Sequence, residues 1–267
     1  LADRSEAVFP HRFGDYELLE KIAIGGMAEV YLARSFGVSG FQRKLVIKRI
    51  LPNLAKSEHY VSLFVQEAKI CSLLDHPNVV HVFDLGVFEG EHFIAMEYIH
   101  GRDLTRTVRK LRSMESKLPL SLAVSICSRI ARGLAYAHSR IGDEGQNLGI
   151  VHRDISPHNI MLSFDGEVRI LDFGIARLEG SLQGEGGRPG GGKFAYMSPE
   201  QASGEAIDHR SDVFSLGIVL YELLVNHRLF QHEDPEEKLR RVKEAEVPDP
   251  RLEAPEIPDA NIILILT

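Results

Sequence analysis

The sequence predicts an α+β fold of two lobes, a β-rich front half and a mainly helical back half, with a cleft between them. Three observations carry this. Short alternating runs bounded by glycine turns fill residues 16–98. Apolar residues at helical spacing dominate after Gly101. A chain of 267 residues is also too long for one small module. With 44% apolar and 26% charged residues, wholesale disorder is excluded. A net charge of −7 speaks against nucleic acid or an anionic membrane surface as partner. The two cysteines, Cys71 and Cys127, lack metal-type spacing, which excludes a disulfide scaffold and a Cys-rich zinc site and favours a reducing compartment. The longest aliphatic run, 262–266, is too short to span a bilayer, and no signal peptide opens the chain. The expected location is the cytoplasm, as a free chain or as the cytosolic domain of a larger, membrane-anchored protein.

Residues 1–12 read as an irregular leader. Strands are expected over 17–22 and 29–33, joined across Gly25-Gly26, and a third over 44–50. Residues 57–74 read as a helix with Tyr60, Leu63, Phe64, Glu67, Ile70, Cys71 and Leu74 on one face. Residues 79–85 and 92–98 flank Glu89-Gly90 as a hairpin. A helix follows over 120–139, with apolar residues at 122, 126, 130, 134 and 137, then a β patch at 150–172 and a second helix at 212–224. Between the last two, 180–192 holds seven glycines, more than a regular element tolerates. The acidic, proline-spotted stretch 231–267 ends without a clear final helix, so the back lobe is expected to be cut short.

Glu67 stands on an apolar helix face, where an unpaired carboxylate costs several kcal/mol. Lys48, between Ile47 and Ile50 on a strand, is the matching cation; the alternative is a helix turned slightly so that Glu67 is half-exposed. A second constellation is geometric. Asp165-Gly166 signals a two-residue hairpin between 160–163 and 167–171. Paired residue numbers then sum to 331, setting Asn159 opposite Asp172 at the open end. An amide oxygen and a carboxylate there are the hard oxygen ligands that Mg²⁺ takes beside phosphate and water, or simply strand caps. Asp154, five residues before Asn159, adds a third oxygen ligand or a base. The Gly25-Gly26 turn could lay N–H groups over phosphates, but a two-glycine turn is more often only a turn.

In order, these pieces resemble the protein kinase family, over nearly the whole chain from about Phe13 to Phe230. The glycine loop, Val46-Ile47-Lys48, Glu67, His152-Arg153-Asp154 with Asn159, Asp172-Phe173-Gly174 and Ser198-Pro199-Glu200 follow one another at fitting spacings. The wording of 25–31 and 195–201 is similar to bacterial serine/threonine kinases. The resemblance implies a kinase-like fold: a leader over 1–12 and a catalytic domain over 13–267, with N-lobe 13–96, hinge 97–103 and C-lobe 104–267. It implies ATP and Mg²⁺ (or Mn²⁺), and transfer of the γ-phosphoryl group to Ser/Thr hydroxyls of a protein substrate. Lys48, paired with Glu67, would hold the α- and β-phosphates. Asp154 would accept the hydroxyl proton, and Asn159 with Asp172 would hold metal. Ile24, Gly25 and Gly26 would cover the phosphates. Met96 would guard the adenine pocket, Glu97 and Ile99 would bond adenine, Asp103 would contact ribose, and Val30, Val46 and Met161 would sandwich the base. Cys71, Val82, His152 and Phe173 would form an internal column, and Asp212 would brace the catalytic loop.

The sequence departs from the family pattern at Ala23 and Ala28, where glycines are usual, at Ser156 in place of a lysine, and at Lys193 in place of a threonine. The loop 138–149 is longer than a helix-to-strand turn needs. Glu200 would normally meet a late arginine, and none follows Arg251. Arg153 calls for a phosphate partner, and within the glycine-rich stretch only Ser181 could carry one. Output is therefore expected to depend on Ser181 phosphorylation, a dimer contact or an activating protein. Two other readings stand beside an active kinase: a weakly active pseudokinase serving as a nucleotide-binding interaction module, and a small-molecule kinase of related fold.

Overall fold

The computed structural model describes residues 9–173 and 193–258. The chain divides into two compact units, Leu1–Asp75 with Val80–Ile99, and His76–Val79 with His100–Thr267.

The first unit is built on one antiparallel sheet of six strands: β1 (His11–Phe13), β2 (Tyr16–Ile24), β3 (Ala28–Phe36), β4 (Gln42–Ile50), β5 (Val82–Phe88) and β6 (Glu91–Glu97), in the order β1-β2-β3-β4-β6-β5. β1 begins in the last two residues of the expected leader and crosses its boundary: Gly14 at φ 58° turns the chain so that Phe13 pairs with Tyr16. Side chains alternate between faces along each strand, and the register therefore sorts them. Leu45 and Ile47 of β4 join Tyr31, Ala33, Phe93, Ala95, Phe13 and Leu18 in a buried cluster on one face. Val46, Lys48 and Ile50 take the other.

Helix α1 (Glu58–Ser72) packs on β5 and β6 and buries Leu63, Phe64, Glu67, Ala68 and Cys71. Its buried stripe is turned from the expected one: Tyr60 is exposed and Ile70 only half-buried. The turn keeps Glu67 inside, at 7% exposure.

The second unit holds a small sheet, β7 (Gly101–Asp103), β8 (Ile160–Ser163) and β9 (Val168–Ile170), in the order β7-β8-β9. Residues 76–79 belong with it, because Val79 bridges Ile170 and the Asn78 amide donates to the Val168 carbonyl at 3.0 Å. Gly101 is required by close approach: a Cβ there would stand 2.0 Å from the Leu162 carbonyl oxygen. Around the sheet lie α2 (Leu104–Ser113), α3 (Leu120–His138), α4 (Pro199–Ser203), α5 (His209–Val225) and α6 (Pro235–Glu244). Helices α3 and α5 pack together, although Leu122, one of the expected core positions of α3, is 50% exposed.

Helix α5 starts three residues before the expected 212, because Asp208 caps it by accepting from the Arg210 N–H at 2.8 Å. Helix α6 falls early in the stretch 231–267, whose sequence pattern ends without a clear final helix. It is polar almost all round and is held by end chemistry: Asp234 as cap, Pro235 at the first position, Glu236 and Glu237 in the first turn, Arg241 and Lys243 in the last. Among the described residues no helix is long and apolar enough to cross a membrane.

On the cluster side of the first sheet, Glu29 accepts hydrogen bonds from Lys21 Nζ (2.6 Å), the Tyr31 hydroxyl (2.6 Å) and Arg49 Nη2 (2.7 Å). Burial alone would raise its carboxyl; the bonds from Lys21, Tyr31 and Arg49 outweigh it and hold the group at about 2, against 4.5 normally. A depressed carboxyl contributes stability above its unfolded value and loses it as pH falls towards the folded one. We expect Glu29→Gln to be less stable than wild type at neutral pH, with the difference closing as pH is lowered from about 4.5 to about 2. Urea unfolding across that range checks it; a pH-independent gap would contradict the network.

Candidate active site

In the first unit Lys48 and Glu67 meet. Lys48 Nζ donates to Glu67 Oε1 at 2.6 Å, with side-chain exposures of only 11% and 10%. The cation is fixed by β4 and the anion by α1. Each makes the other's burial tolerable, since a lone charge there would cost several kcal/mol. Cross-strand partners share a face, and β3–β4 and β4–β6 pair Val30 with Lys48 and Val46 with Met96. These four sequence-predicted residues therefore line the sheet face opposite the Tyr31–Phe93 cluster. Val46 and Met96 are buried there at 8% each, while Ile24 is 66% exposed. Gly25 and Gly26 join β2 to β3, and the Gly25 N–H donates to the Ala28 carbonyl at 2.8 Å. Neither glycine has a positive φ, and no atom crowds a Cβ at Gly26; the turn itself does not demand them. Glu97 closes β6, its backbone N–H donating to the His81 carbonyl and its Oε1 accepting from the His81 N–H, both at 2.9 Å. Cys71 is buried on α1 and Val82 opens β5.

In the second unit the loop 152–159 is organised by Asp212, fully buried in the first turn of α5. Its Oδ2 accepts from the His152 N–H (2.8 Å) and from His138 Nε2 (2.7 Å), and its Oδ1 from the Arg153 N–H (2.7 Å). Arg153 stands at φ 67°, a left-handed conformation a long side chain adopts at a cost. It is held from both ends: its carbonyl accepts from Gln201 Nε2 at 2.9 Å. Gln201 is oriented in turn by the α4 capping box, its Oε1 accepting from the Ser198 N–H at 3.0 Å. His152 is buried with a defined tautomer. Nε2 lies 2.8 Å from the Leu171 carbonyl and so carries the proton, and Nδ1 accepts from the Asp154 N–H at 3.2 Å. Its ring packs on Phe173 at 4.7 Å.

Asn159 Nδ2 donates to both the carbonyl oxygen and Oδ2 of Asp154, each at 2.8 Å. That fixes the Asp154 carboxylate and leaves Asn159 Oδ1, the better metal ligand, without a hydrogen bond among the described residues. The hairpin that carries Asn159 and Asp172 differs from the expected one. Ile160 pairs with Ile170, Met161 with Arg169 and Leu162 with Val168, so paired numbers sum to 330 rather than 331. The turn has three residues, Phe164-Asp165-Gly166: the Gly166 N–H bonds the Ser163 carbonyl at 3.1 Å and Gly166 takes φ 85°. This is the type I turn closed by a left-handed residue, which favours glycine at its third position. Asn159 consequently faces Leu171, whose N–H donates to its carbonyl at 2.8 Å, and Asp172 follows at φ 43°. Asp103 and Met161 are direct partners across β7 and β8. Asp103 also caps α2, accepting from the Arg106 N–H at 2.7 Å.

The sequence reading missed the parts played by His138 and Gln201; the Ser198–Gln201 spacing of a capping box was the available signal for the second. Glu200, for which an arginine was expected, accepts from the Ser211 hydroxyl. Ser156 is buried and its carbonyl accepts from the Asn159 N–H at 3.0 Å. Tyr196 is buried, its hydroxyl donating to Glu222 at 2.7 Å. Gly174, Ser181 and the glycine-rich stretch lie outside the described residues.

The sequence pattern of the protein kinase domain matches residues 16–259. Tyrosine-protein kinase MasK of Myxococcus xanthus is 41% identical over 95% of this chain and 39% of its own length. Serine/threonine-protein kinase PrkC of Bacillus subtilis is 36% identical over 95% of this chain and 37% of its own. The chain thus spans well under half the length of these relatives. Among solved structures, the PknI kinase domain of Mycobacterium tuberculosis superposes with a TM-score of 0.68 at 25% identity, covering 94% of this chain and 86% of that one.

Asp212→Asn keeps the shape but turns an N–H₂ group towards donors that need an acceptor. We expect it to lower the unfolding free energy by about 2 kcal/mol, the cost of a buried donor left unsatisfied. Denaturant unfolding measures this; a loss too small to resolve would remove Asp212 from its bracing role.

Proposed function

We propose that this chain, which belongs to the protein kinase family, is an active kinase whose catalytic domain spans 13–267 and which transfers the γ-phosphoryl group of ATP to Ser/Thr hydroxyls of proteins. The family generally uses ATP and a divalent metal ion on protein substrates. The observation that carries the proposal is the Asp154–Asn159 arrangement: a carboxylate held by an amide whose own oxygen stays available, on a loop strapped by Asp212.

In this reading the transferred group carries charge over several oxygens, and the protein's part is to position and neutralise. Lys48, kept in place by Glu67, holds the α- and β-phosphates. Gly25 and Gly26, which the turn does not itself require, keep side chains away from them. Ile24 covers the nucleotide, Val30, Val46 and Met161 enclose adenine, Met96 backs it, and the Glu97 and Ile99 backbone bonds it. Asp103 has a carboxylate for ribose beside its capping bond. Asp154 orients the attacking hydroxyl and accepts its proton. Asn159 Oδ1 and the Asp172 carboxylate are hard oxygens that fit Mg²⁺ or Mn²⁺. The metal would supply charge neutralisation at the phosphates. PrkC is named a serine/threonine kinase and MasK a tyrosine kinase; several further relatives carry the serine/threonine name, and we take that acceptor class.

Three measurements test the reading. Lys48→Met should abolish turnover of ATP and a Ser-containing protein and, by leaving Glu67 buried without its cation, destabilise the fold as well. Glu67→Gln should reduce turnover strongly with the fold largely intact; wild-type turnover in Lys48→Met would refute its role. Asp154→Asn should lower kcat about 10²–10⁴-fold with little change in ATP affinity, whereas parallel loss of affinity and thermal stability would mark Asp154 as structural. Calorimetry should show ATP binding that depends on Mg²⁺ or Mn²⁺. Equal binding in EDTA would remove Asn159 and Asp172 as metal ligands.

A further inference from the structure

A small cavity of about 100 Å³ lies within the second unit, floored by apolar side chains such as Val108, Val219 and Leu223 and walled by Arg109 and Arg112 of α2 and by Arg228 just beyond α5. Several other arginines among the described residues have a carboxylate at hand: Arg34 with Glu17, Arg49 with Glu29, Arg210 with Asp208, Arg240 with Glu237, Arg251 with Asp249. The three around this cavity form no ion pair among the described residues. Arg112 Nε donates to the Asn226 carbonyl at 2.6 Å, but its Nη2 is buried without an acceptor. Thr105 Oγ1, on the same wall, is likewise buried and unpartnered.

The one carboxylate present, Glu222, is turned to other donors. It accepts from the Tyr196 hydroxyl at 2.7 Å and the Leu229 N–H at 3.3 Å. Burial pushes its carboxyl upward, against the lowering effect of its bonds from Tyr196 and Leu229 and of the nearby Arg228 and Arg112. Three guanidinium groups against one carboxylate leave the cavity with an excess of positive charge. Stranded donors of this kind cost about 1–3 kcal/mol each until an acceptor arrives. A guanidinium fork matches the two oxygens of a carboxylate or phosphate.

Place decides the occupant. Pro157, three residues from Asp154 on the catalytic loop, forms part of the wall, so a polypeptide offering a hydroxyl to Asp154 runs past this opening. We infer that the cavity receives an anionic side chain of the protein substrate, an aspartate, a glutamate or a phosphorylated residue near the acceptor hydroxyl. The inference rests on the kinase reading for the presence of a substrate there; the cavity itself makes acidity the preference.

The test uses the whole chain and a set of Ser peptides in which Asp, phosphoserine, Ala or Lys is placed in turn at each position flanking the acceptor. Kinase assays read kcat/KM, and calorimetry without nucleotide reads binding apart from turnover. An acidic or phosphorylated residue at one flanking position should be preferred over Ala about tenfold, the size of one charge-assisted hydrogen bond. Arg228→Gln and Arg109→Gln should each reduce that ratio several-fold, and Arg228→Glu should turn it towards Lys. Arg228 makes no hydrogen bond among the described residues, so its replacement removes charge, including its attraction to Glu222, without breaking a hydrogen bond, and the unfolding midpoint checks what that attraction contributes. Equal binding of all peptides, or a ratio unchanged in the variants, overturns the inference. Arginine-dependent binding of the acidic peptide with no phosphorylation of any peptide would uphold it and count against the kinase reading instead.

Discussion

Asp212 is a carboxylate taken wholly out of water, and the protein tolerates it because three N–H groups and the amino end of α5 converge on it. Two of those N–H groups are the backbone of His152 and Arg153. The anion's need for donors thereby becomes a constraint on the loop, and the loop's geometry becomes a property of a helix. Arg153 could not hold its left-handed backbone on local preference; the Asp212 bond on one side and the Gln201 bond on the other over-determine it. The strain sits one residue before Asp154, and the direction of that carboxylate follows from it.

The first unit solves a comparable problem by pairing instead of capping. Lys48 and Glu67 are each expensive to bury and cheap only together, so α1 and β4 must keep their relative position for either to stay inside. The sheet then separates two kinds of work. One face packs aromatic and aliphatic residues around Tyr31 and Phe93; the other presents Val30, Val46, Lys48 and Met96.

What could be read from the sequence was what local pattern encodes. Glu67 was visible because it broke an apolar stripe, and the strands because they alternate. Helix α6 was invisible to periodicity, since a polar helix carries no stripe; its signal lay in Asp234-Pro235 and the charges at its ends. The hairpin register was missed by one residue because Asp-Gly serves both two-residue and three-residue turns, and only the placement of Phe164 outside the ladder decides between them. The straps on Arg153 were hidden for another reason. Gln201 and Asp212, and His138 that bonds Asp212, are far from Arg153 along the chain, and no local rule points any of them at it. Resemblance supplied Asp212, and nothing supplied the other two.

Strand β4 carries two consecutive basic residues that serve opposite faces: Lys48 turns to α1, Arg49 to Glu29 and Glu91. Chemically they are near-equivalents, and only pleat parity tells them apart. Insertion or deletion of one codon ahead of them in the strand would exchange their faces, together with those of every neighbour. Their surroundings depend on that parity alone, so the length of the strand is as constrained as the identity of Lys48. Over evolutionary time β4 should therefore refuse gaps even at positions where it accepts substitution, and length variation should collect in the connection over 37–41 instead.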